Sequence, residues 1–134
     1  MTDSSQFGDT FRVLGNAMDL MEKRQKVISS NIANKDTPGY SAARLEFEQE
    51  LQNRISESGT RQVATNPKHF PDGGGFSPVQ GSVERDHSAA QIGDENSVNL
   101  DQEMLDLSEN QIRFEAASQI LRQRFALIQY VLQR

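Results

Sequence analysis

The side chains best suited to acid–base chemistry at neutral pH are two histidines, His69 and His87. Both lie in a polar stretch, and neither forms a His-x-x-x-His or Glu-x-x-His pair within a predicted helix, where two metal ligands would share one face. The lack of cysteine excludes thiolate nucleophiles and cysteine-ligated metal sites. We therefore interpret both histidines as solvated loop residues, and we expect no cofactor, no small-molecule substrate and no enzymatic activity.

Carboxylates and glycines offer two further candidate sites. The acidic residues gather around the start of the last predicted helix, at Asp94-Glu95, Asp101, Glu103 and Asp106. Negative charge there is stabilised by the helix dipole, which we favour over a catalytic pair or a metal site. The run Gly73-Gly74-Gly75 lacks the Lys and Ser/Thr that follow in a phosphate-binding loop. Chain flexibility is the preferred interpretation of these glycines.

Positive charge is scarce in this chain, whose formal net charge is −5. The one basic cluster is Lys23-Arg24 with Lys26, which we interpret as a solvated helix face or as an inter-subunit contact. We therefore expect no nucleic-acid partner. The sequence also has no run of 18 apolar residues and begins without a basic region followed by an apolar one, so we expect neither a membrane span nor a cleavable signal peptide.

Apolar side chains concentrate at the two ends of the sequence. Near the N-terminus they recur at alternating spacings of four and three, which predicts a heptad helix that ends near Asn34, before Pro38. This N-terminal stripe consists of Phe7, Phe11, Leu14, Met18, Met21, Ile28 and Ile32, with polar Gln25 in its register.

The C-terminal segment repeats this spacing, and Asn99 is a good N-cap for a helix running from Leu100 to the chain end. Its stripe consists of Leu100, Met104, Leu107, Phe114, Leu121, Phe125, Ile128 and Leu132, interrupted by Gln111 and Ser118. A second stripe beside it, including Leu105, Ile112, Ala116, Ile120, Leu127 and Val131, indicates contact with more than one neighbour. The polar members Gln25, Gln111 and Ser118 either fix the register or are tolerated defects.

These patterns predict a mainly α fold in which the two long terminal helices form an antiparallel coiled-coil hairpin. Residues 1–36 and 98–134 would form this coiled-coil unit. Residues 37–97 would form a connecting turn, a short helix and a Gly/Pro-rich loop or weakly extended middle, because few apolar residues lie between Ser56 and Ser97. Only 35% of residues are hydrophobic, so neighbouring molecules are expected to supply part of the burial.

The junction after the first helix reads Asn31-Ile32-Ala33-Asn34-Lys35-Asp36-Thr37-Pro38-Gly39-Tyr40. Pro38 and Gly39 suit the two central positions of a type II turn. We expect Asn31 and Asn34 to bond free carbonyls of the last helical turn, and Thr37 to bond nearby backbone.

This turn motif between two heptad helices resembles the axial proteins of the bacterial flagellum, the family of rod, hook and hook-associated proteins. The segments Ala43-Arg44-Leu45-Glu46-Phe47, Thr65-x-x-x-His69 and Asn99-Leu100-Asp101-x-Glu103-Met104, with Asn110 and Phe114, are similar to those of a proximal rod protein. The likeness is strongest at residues 28–47 and 97–118.

The resemblance implies a structural subunit of the flagellar basal body, in the periplasmic rod. The paired terminal helices of that family form the inner coiled-coil layer of a hollow helical rod, which joins the membrane ring to the distal rod and transmits torque. Export by the flagellar type III system, without a cleaved signal peptide, is also implied. The implied partners are copies of the chain itself, other rod proteins, the rod-junction adaptor, and the MS-ring and export-gate proteins.

Two alternatives remain open. Another short axial protein of the same assembly would differ only in its layer and its neighbours. A cytosolic helical-hairpin adaptor or regulator that happens to contain a Pro-Gly turn would share the two helices without the assembly.

Overall fold

A computed structural model describes residues 3–59, 76–86 and 96–133. Along these ranges the elements are α1 (Asp3–Ala33), β1 (Ala43–Glu46), α2 (Glu48–Gly59), β2 (Ser82–Arg85) and α3 (Leu100–Leu132). The prediction of a mainly helical chain with two long terminal helices is confirmed. Both histidines, the triple glycine and Asp94-Glu95 lie outside the described residues, as does the side chain of Phe7. No helix in the described ranges has an apolar stretch long enough to cross a bilayer.

The predicted helix boundaries follow from local chemistry. α1 ends at Ala33, a few residues before Pro38, which lacks the N–H that a continuing helix needs. α3 begins after Asn99, whose side-chain Oδ1 accepts hydrogen bonds from the backbone N–H groups of Asp101 and Gln102 at 3.1 and 3.3 Å. Asn99 is thus the N-cap that its position in the sequence predicts.

The two long helices contact each other in opposite chain order. The rings of Phe11 and Phe125 lie 5.0 Å apart between centroids, and the Asn110 amide Nδ2 donates to the Met21 carbonyl at 2.9 Å. The start of α1 therefore contacts the end of α3, and residues further along α1 contact residues nearer the start of α3. This is the packing expected of an antiparallel pair.

The face of α3 that is buried within the chain differs from the predicted stripe. Its most buried residues are Glu103, Asn110 and Ala117, seven apart, and they alternate with the half-buried Leu107, Phe114, Leu121 and Ile128. The predicted members Met104 and Phe125 are 50% and 51% exposed. Leu100 and Leu132 are exposed as well.

At every second position of the stripe, the buried residue is the one immediately before the predicted residue, as Glu103 precedes Met104. Small side chains at Ala17 and Ala117 are both buried, which allows a close approach of the helices. The Asn110 amide satisfies a backbone carbonyl that an apolar side chain could not. In α1, Ile28 of the predicted stripe is buried and Gln25 is exposed, but the other buried residues, Ala17, Leu20 and Asn31, lie outside that stripe.

The hydrophobic core lies beside α1 rather than only between the long helices. Leu20 packs with Leu45, Phe47 and Val79, and Met21, Val27 and Leu51 surround them. β1 alternates buried Ala43 and Leu45 with exposed Arg44 and Glu46. The middle of the sequence, expected to be loop, therefore contributes two buried side chains from one short segment, Phe76 and Val79.

The weakly extended structure predicted for the middle is present as an antiparallel pair, with Leu45 opposite Val83. Gly81 enters β2 with a φ of +71°, which L-residues rarely adopt. A Cβ at this position would lie 3.1 Å from Leu45 Cδ1 and 3.2 Å from the Glu46 carbonyl oxygen. Glycine is therefore required where the middle segment meets β1.

Candidate functional site

The junction between α1 and β1 is organised by the fully buried side chain of Asn31. Its Nδ2 donates to the Ala43 carbonyl at 2.8 Å, and its Oδ1 accepts from the Ala43 N–H at 3.0 Å. The Tyr40 hydroxyl donates to the same oxygen at 3.2 Å. The amide thus pairs with both backbone groups of Ala43 as a neighbouring strand would. The expectation that Asn31 bonds carbonyls at the end of α1 is wrong, because β1 takes up the amide instead.

Asn34 does cap the helix as predicted. Its Nδ2 donates to the Ser30 carbonyl at 2.8 Å, and its own N–H donates to the same carbonyl at 3.2 Å, so the side chain adds a second bond to an acceptor of the last turn. The Thr37 hydroxyl donates to Asn34 Oδ1 at 3.3 Å and so bonds a side chain, where we expected backbone. Together these bonds hold the chain against the end of α1 as it reverses.

The carbonyls of this reversal also receive hydrogen bonds from a residue far along the chain. Asn96, just before α3, directs its Nδ2 towards the carbonyl oxygens of Asn34, Lys35 and Thr37, at 2.9, 2.7 and 2.9 Å. Its Oδ1 accepts from the Val98 N–H at 2.8 Å. One amide therefore fixes the start of α3 against the end of α1.

The predicted turn at Pro38 and Gly39 is present. The Tyr40 N–H donates to the Thr37 carbonyl at 3.3 Å, and Gly39 has a φ of +73°. A type II turn requires this positive φ at its third position, after proline at the second. The turn delivers Tyr40 to Asn31, so its geometry decides whether the buried amide is fully bonded.

Replacement of Gly39 by valine should destabilise the fold by about 1–3 kcal/mol, because a β-branched residue resists positive φ. Gly39→Asn is the matched control, since asparagine tolerates this region and should cost clearly less. Urea unfolding followed by circular dichroism measures both. Equal midpoints for the valine variant and the parent would contradict the turn assignment.

A second asparagine of α1 repeats the pairing made by Asn31. The Asn16 amide Nδ2 donates to the Val79 carbonyl at 3.0 Å, and its Oδ1 accepts from the Val79 N–H at 2.8 Å. Two side-chain amides on one helix therefore hold two extended segments by their backbones, Val79 before β2 and Ala43 in β1. This arrangement fixes the middle of the chain to α1 with little apolar area.

Arg24 belongs to this junction, contrary to the interpretation of the basic cluster as a solvated face or an inter-subunit contact. Its guanidinium donates to the Leu45 carbonyl from Nε at 3.0 Å and to Glu48 Oε2 at 2.6 Å. It also lies 4.3 Å above the centre of the Phe47 ring, a cation–π geometry. Lys23 remains exposed, and Lys26 pairs with Glu22 on α1 at 2.7 Å.

Glu48 receives charge-assisted hydrogen bonds from two elements. Arg24 of α1 binds both carboxylate oxygens, and Arg113 of α3 donates to Oε1 at 3.2 Å. The hydrogen bonds from Arg24 are the main cause that lowers the pKa of Glu48 from 4.5 to about 2, although partial burial opposes the shift. One carboxylate thus connects α1, α2 and α3.

This shift predicts a pH dependence of stability. Because the folded carboxyl has the lower pKa, its contribution is complete above pH about 4.5 and is lost as the pH falls towards 2. Glu48→Gln should lower the free energy of unfolding at pH 7 by roughly 1 kcal/mol, a figure reduced for solvent screening at this half-exposed group. The variant should also weaken the stability loss between pH 4.5 and 2.

Glu50→Gln is the matched control for this experiment, because Glu50 is an exposed acid in the same first turn of α2. The parent's pH dependence should persist in that variant. Urea titrations at a series of pH values measure the effect. A Glu48→Gln variant with an unchanged slope below pH 4.5 would rule out the ionised carboxylate as the connection.

On the side of α3 away from its buried face lies an apolar surface that the described residues do not cover. Ile112 follows buried Asn110 by two residues, about 200° around the helix. It is 67% exposed, and Leu105 is 63% exposed. We call this surface the outer face of α3, and its exposed apolar members are Leu105, Ile112, Ile120 and Leu127. Exposed apolar area of this kind marks an interaction surface.

No group of acidic or histidine side chains within the described ranges has a geometry that could hold a metal ion. The junction instead holds α1, β1 and the start of α3 in a fixed geometry through hydrogen bonds. The turn motif supplies Asn31, Asn34, Thr37, Gly39 and Tyr40 to one hydrogen-bonded unit. The sequence pattern did not reveal the roles of Asn16, Asn96, Arg24 and Gly81, because each contacts backbone or side chains far along the chain. The signal in the sequence was an asparagine within or beside a helix, at a position where helix formation does not require one.

Comparison with known proteins identifies relatives of this chain. Residues 11–40 match the family described as Flagella basal body rod protein. Over 130 residues the chain is 33% identical to the flagellar basal body rod protein FlgB of Bacillus subtilis (strain 168), covering 96% of each chain. It is 28% identical to FlgB of Aeromonas hydrophila over 90% of this chain and 89% of the relative. The corresponding values for Salmonella typhimurium FlgB are 29%, 87% and 88%.

Proposed function

Because the chain belongs to the family of flagellar basal body rod proteins FlgB, we propose that it builds the proximal rod by helical self-assembly. Members of this family are structural subunits rather than enzymes, and they reside in the flagellar basal body. The observation that carries the proposal is the outer face of α3, whose apolar side chains the described residues leave exposed. Burial of this face between neighbouring subunits would supply the stability that the small core lacks.

The terminal helices form an antiparallel coiled coil in this proposal, with residues 1–36 and 98–134 as the inner domain of the rod. The seven-residue recurrence of Glu103, Asn110 and Ala117 on the buried face supports this packing. Residues 37–97 are the region that connects the two helices in this proposal. The N-terminal and C-terminal stripes then divide their side chains between the contact within the chain and contacts with neighbours.

The junction gives this rod its resistance to twisting. A torque applied along the helices would move α1 relative to β1 and α3, and that motion must break the bonds of Asn31, Asn96 and Arg24 together. The turn motif therefore acts in the proposed function by fixing the angle at which the middle leaves the inner domain. Interfaces between non-identical patches then extend the array without closing it.

The proposed partners follow from the family. They are further copies of this chain, the other rod proteins, the rod-junction adaptor at the base, and the MS-ring and export-gate proteins beneath it. The subunit would connect the membrane ring to the distal rod and transmit torque. It would reach the periplasm through the flagellar type III system without a cleaved signal peptide.

Deletion of the gene and complementation test the proposal. We expect the deletion strain not to swim and its basal bodies, viewed by electron microscopy, to lack rods beyond the membrane ring. Plasmid-borne parent protein should restore both, and the restored protein should fractionate with basal bodies. Normal swimming with intact rods in the deletion strain would contradict the proposal and favour the cytosolic adaptor.

A further inference from the structure

A groove between α1, β1 and α3 is lined by a residue with a buried polar atom that no described residue bonds. Asn110, 3% exposed, lines this groove with Val27, Ile28 and Leu45. Its Nδ2 donates to the Met21 carbonyl, whereas its Oδ1 is buried without a hydrogen-bond partner among the described residues. The groove has a volume of about 230 Å³ and opens to solvent. An unpartnered buried acceptor next to an open groove favours an incoming N–H donor.

The charges around the groove favour a cationic donor. Arg24 is neutralised by Glu48, and Arg113 pairs with Glu109 at 2.5 Å. The acids of the groove wall that form no ion pair with the described residues are Glu46 and Asp106, against one such arginine, Arg44, so these three charges sum to −1. Asp106 Oδ1 accepts a hydrogen bond from Gln102 Nε2 at 2.7 Å, and a carboxylate can accept more than one such bond. A guanidinium suits such a site, because its five N–H donors can reach an amide oxygen and a carboxylate at once.

α3 itself carries matching charge on its other half. The first half, residues 100–117, has five acids against the single base Arg113, whereas residues 118–133 have no acid and two arginines, Arg122 and Arg124. Arg124 is exposed and makes no hydrogen bond or ion pair with the part of the chain that the structure describes. Beside it, Phe125 and Leu127 are more than half exposed. A contact through Arg124 would therefore bury apolar area along with the charge.

We propose that this groove receives Arg124 from a second copy of the chain, with its guanidinium donating to Asn110 Oδ1 and to Asp106. The inference rests on the proposed function, because it specifies which surfaces of the self-assembling subunit meet. Groove and arginine lie on different parts of one helix, so each copy presents both. Two copies that exchanged both contacts would close as a dimer, whereas a one-way contact joins copies head to tail, as the proposed rod requires. Such heterologous contacts extend into open arrays.

Charge exchange tests the pairing in a strain that lacks the gene. Arg124→Glu and Asp106→Arg should each abolish swimming and rod assembly, since each places like charges in the contact. The double variant Arg124→Glu with Asp106→Arg should restore both. Lys23→Glu, an exposed charge reversal on α1, is the control and should leave swimming intact. A double variant no better than either single variant would overturn the pairing.

Crosslinking gives a readout that does not depend on swimming, because the parent chain has no cysteine. Gln102→Cys and Gln123→Cys place thiols at exposed positions beside Asp106 and Arg124. Within one helix these positions are about 31 Å apart, far beyond disulfide reach, so oxidation can join only different copies. The double-cysteine protein in isolated basal bodies should give a ladder of dimers, trimers and larger species.

Each single-cysteine variant should remain uncrosslinked, because the proposed contact brings position 102 of one copy to position 123 of another. Rods that assemble without a ladder would overturn this inference and leave the proposed rod function intact. Rods that persist without the gene would instead overturn the rod function.

Discussion

Asn31→Ala should destabilise the fold by roughly 2–4 kcal/mol, an effect of the size seen when two buried backbone groups lose their partners. The substitution removes the side chain that bonds both the N–H and the carbonyl of Ala43. It also removes the acceptor of the Tyr40 hydroxyl. Because marginal domains have little stability to spare, a loss of this size should leave a large fraction unfolded near 37 °C.

Urea unfolding tests this prediction for the whole fold, and amide hydrogen exchange tests it at single residues. The global midpoint should fall, and exchange at the Ala43 amide should accelerate more than exchange in the middle of α3. Ser29→Ala is the matched control, because Ser29 is exposed and two residues away on the same helix. An Asn31→Ala protein with parental stability would show that water replaces the amide without cost.

Ile112→Asp should abolish swimming while leaving the isolated chain intact. Ile112 lies on the outer face of α3, and at 67% exposure it contributes little to the packing of one subunit. In the assembled rod a carboxylate there would be buried without a partner, which is strongly unfavourable. The free energy of unfolding of the isolated chain should change by less than about 0.5 kcal/mol.

Ile112→Val is the matched control, because it keeps an apolar β-branched side chain at the same position. That variant should swim and assemble as the parent does. Complementation of a deletion strain, with electron microscopy of basal bodies, measures assembly, and circular dichroism measures the isolated chain. Rods built from the aspartate variant would show that this face stays in water.

The sequence predicted the elements better than their contacts. Helix ends were predictable because Pro38 and Asn99 act on their immediate neighbours, through a missing N–H and a capping oxygen. The turn was predictable for the same reason, since Pro38 and Gly39 each restrict their own φ. Local chemistry of this kind needs no knowledge of the rest of the fold.

The buried face of α3 was not predictable by the same means. The apolar register through Met104 and the observed register through Glu103 differ by one residue, about 100° around the helix. The number of apolar residues favours the register through Met104. The observed register is favoured by Asn110, which bonds a carbonyl of α1 that only the folded chain brings near. The exposed apolar residues are those expected to contact other subunits. The sequence therefore combines the pattern of contacts within one chain with the pattern of contacts between chains.

The asparagine contacts had still less signal. Asn16 bonds a residue 63 positions away, and Asn96 bonds carbonyls about as distant. Any asparagine can pair with an extended backbone, so its partner depends on topology rather than on spacing. Phe76 and Val79 were missed for a related reason, because a short segment held by side-chain amides needs few apolar residues to be ordered.

The neutral character of the asparagine bonds has a consequence for conditions outside the cell. Amide-to-backbone bonds carry no net charge, so dissolved ions do not screen them, whereas exposed ion pairs weaken as ionic strength rises. The angle between the long helices and the middle segment should therefore stay constant from fresh to brackish media. Contacts that depend on arginine and carboxylate pairs would be the first to loosen in brine.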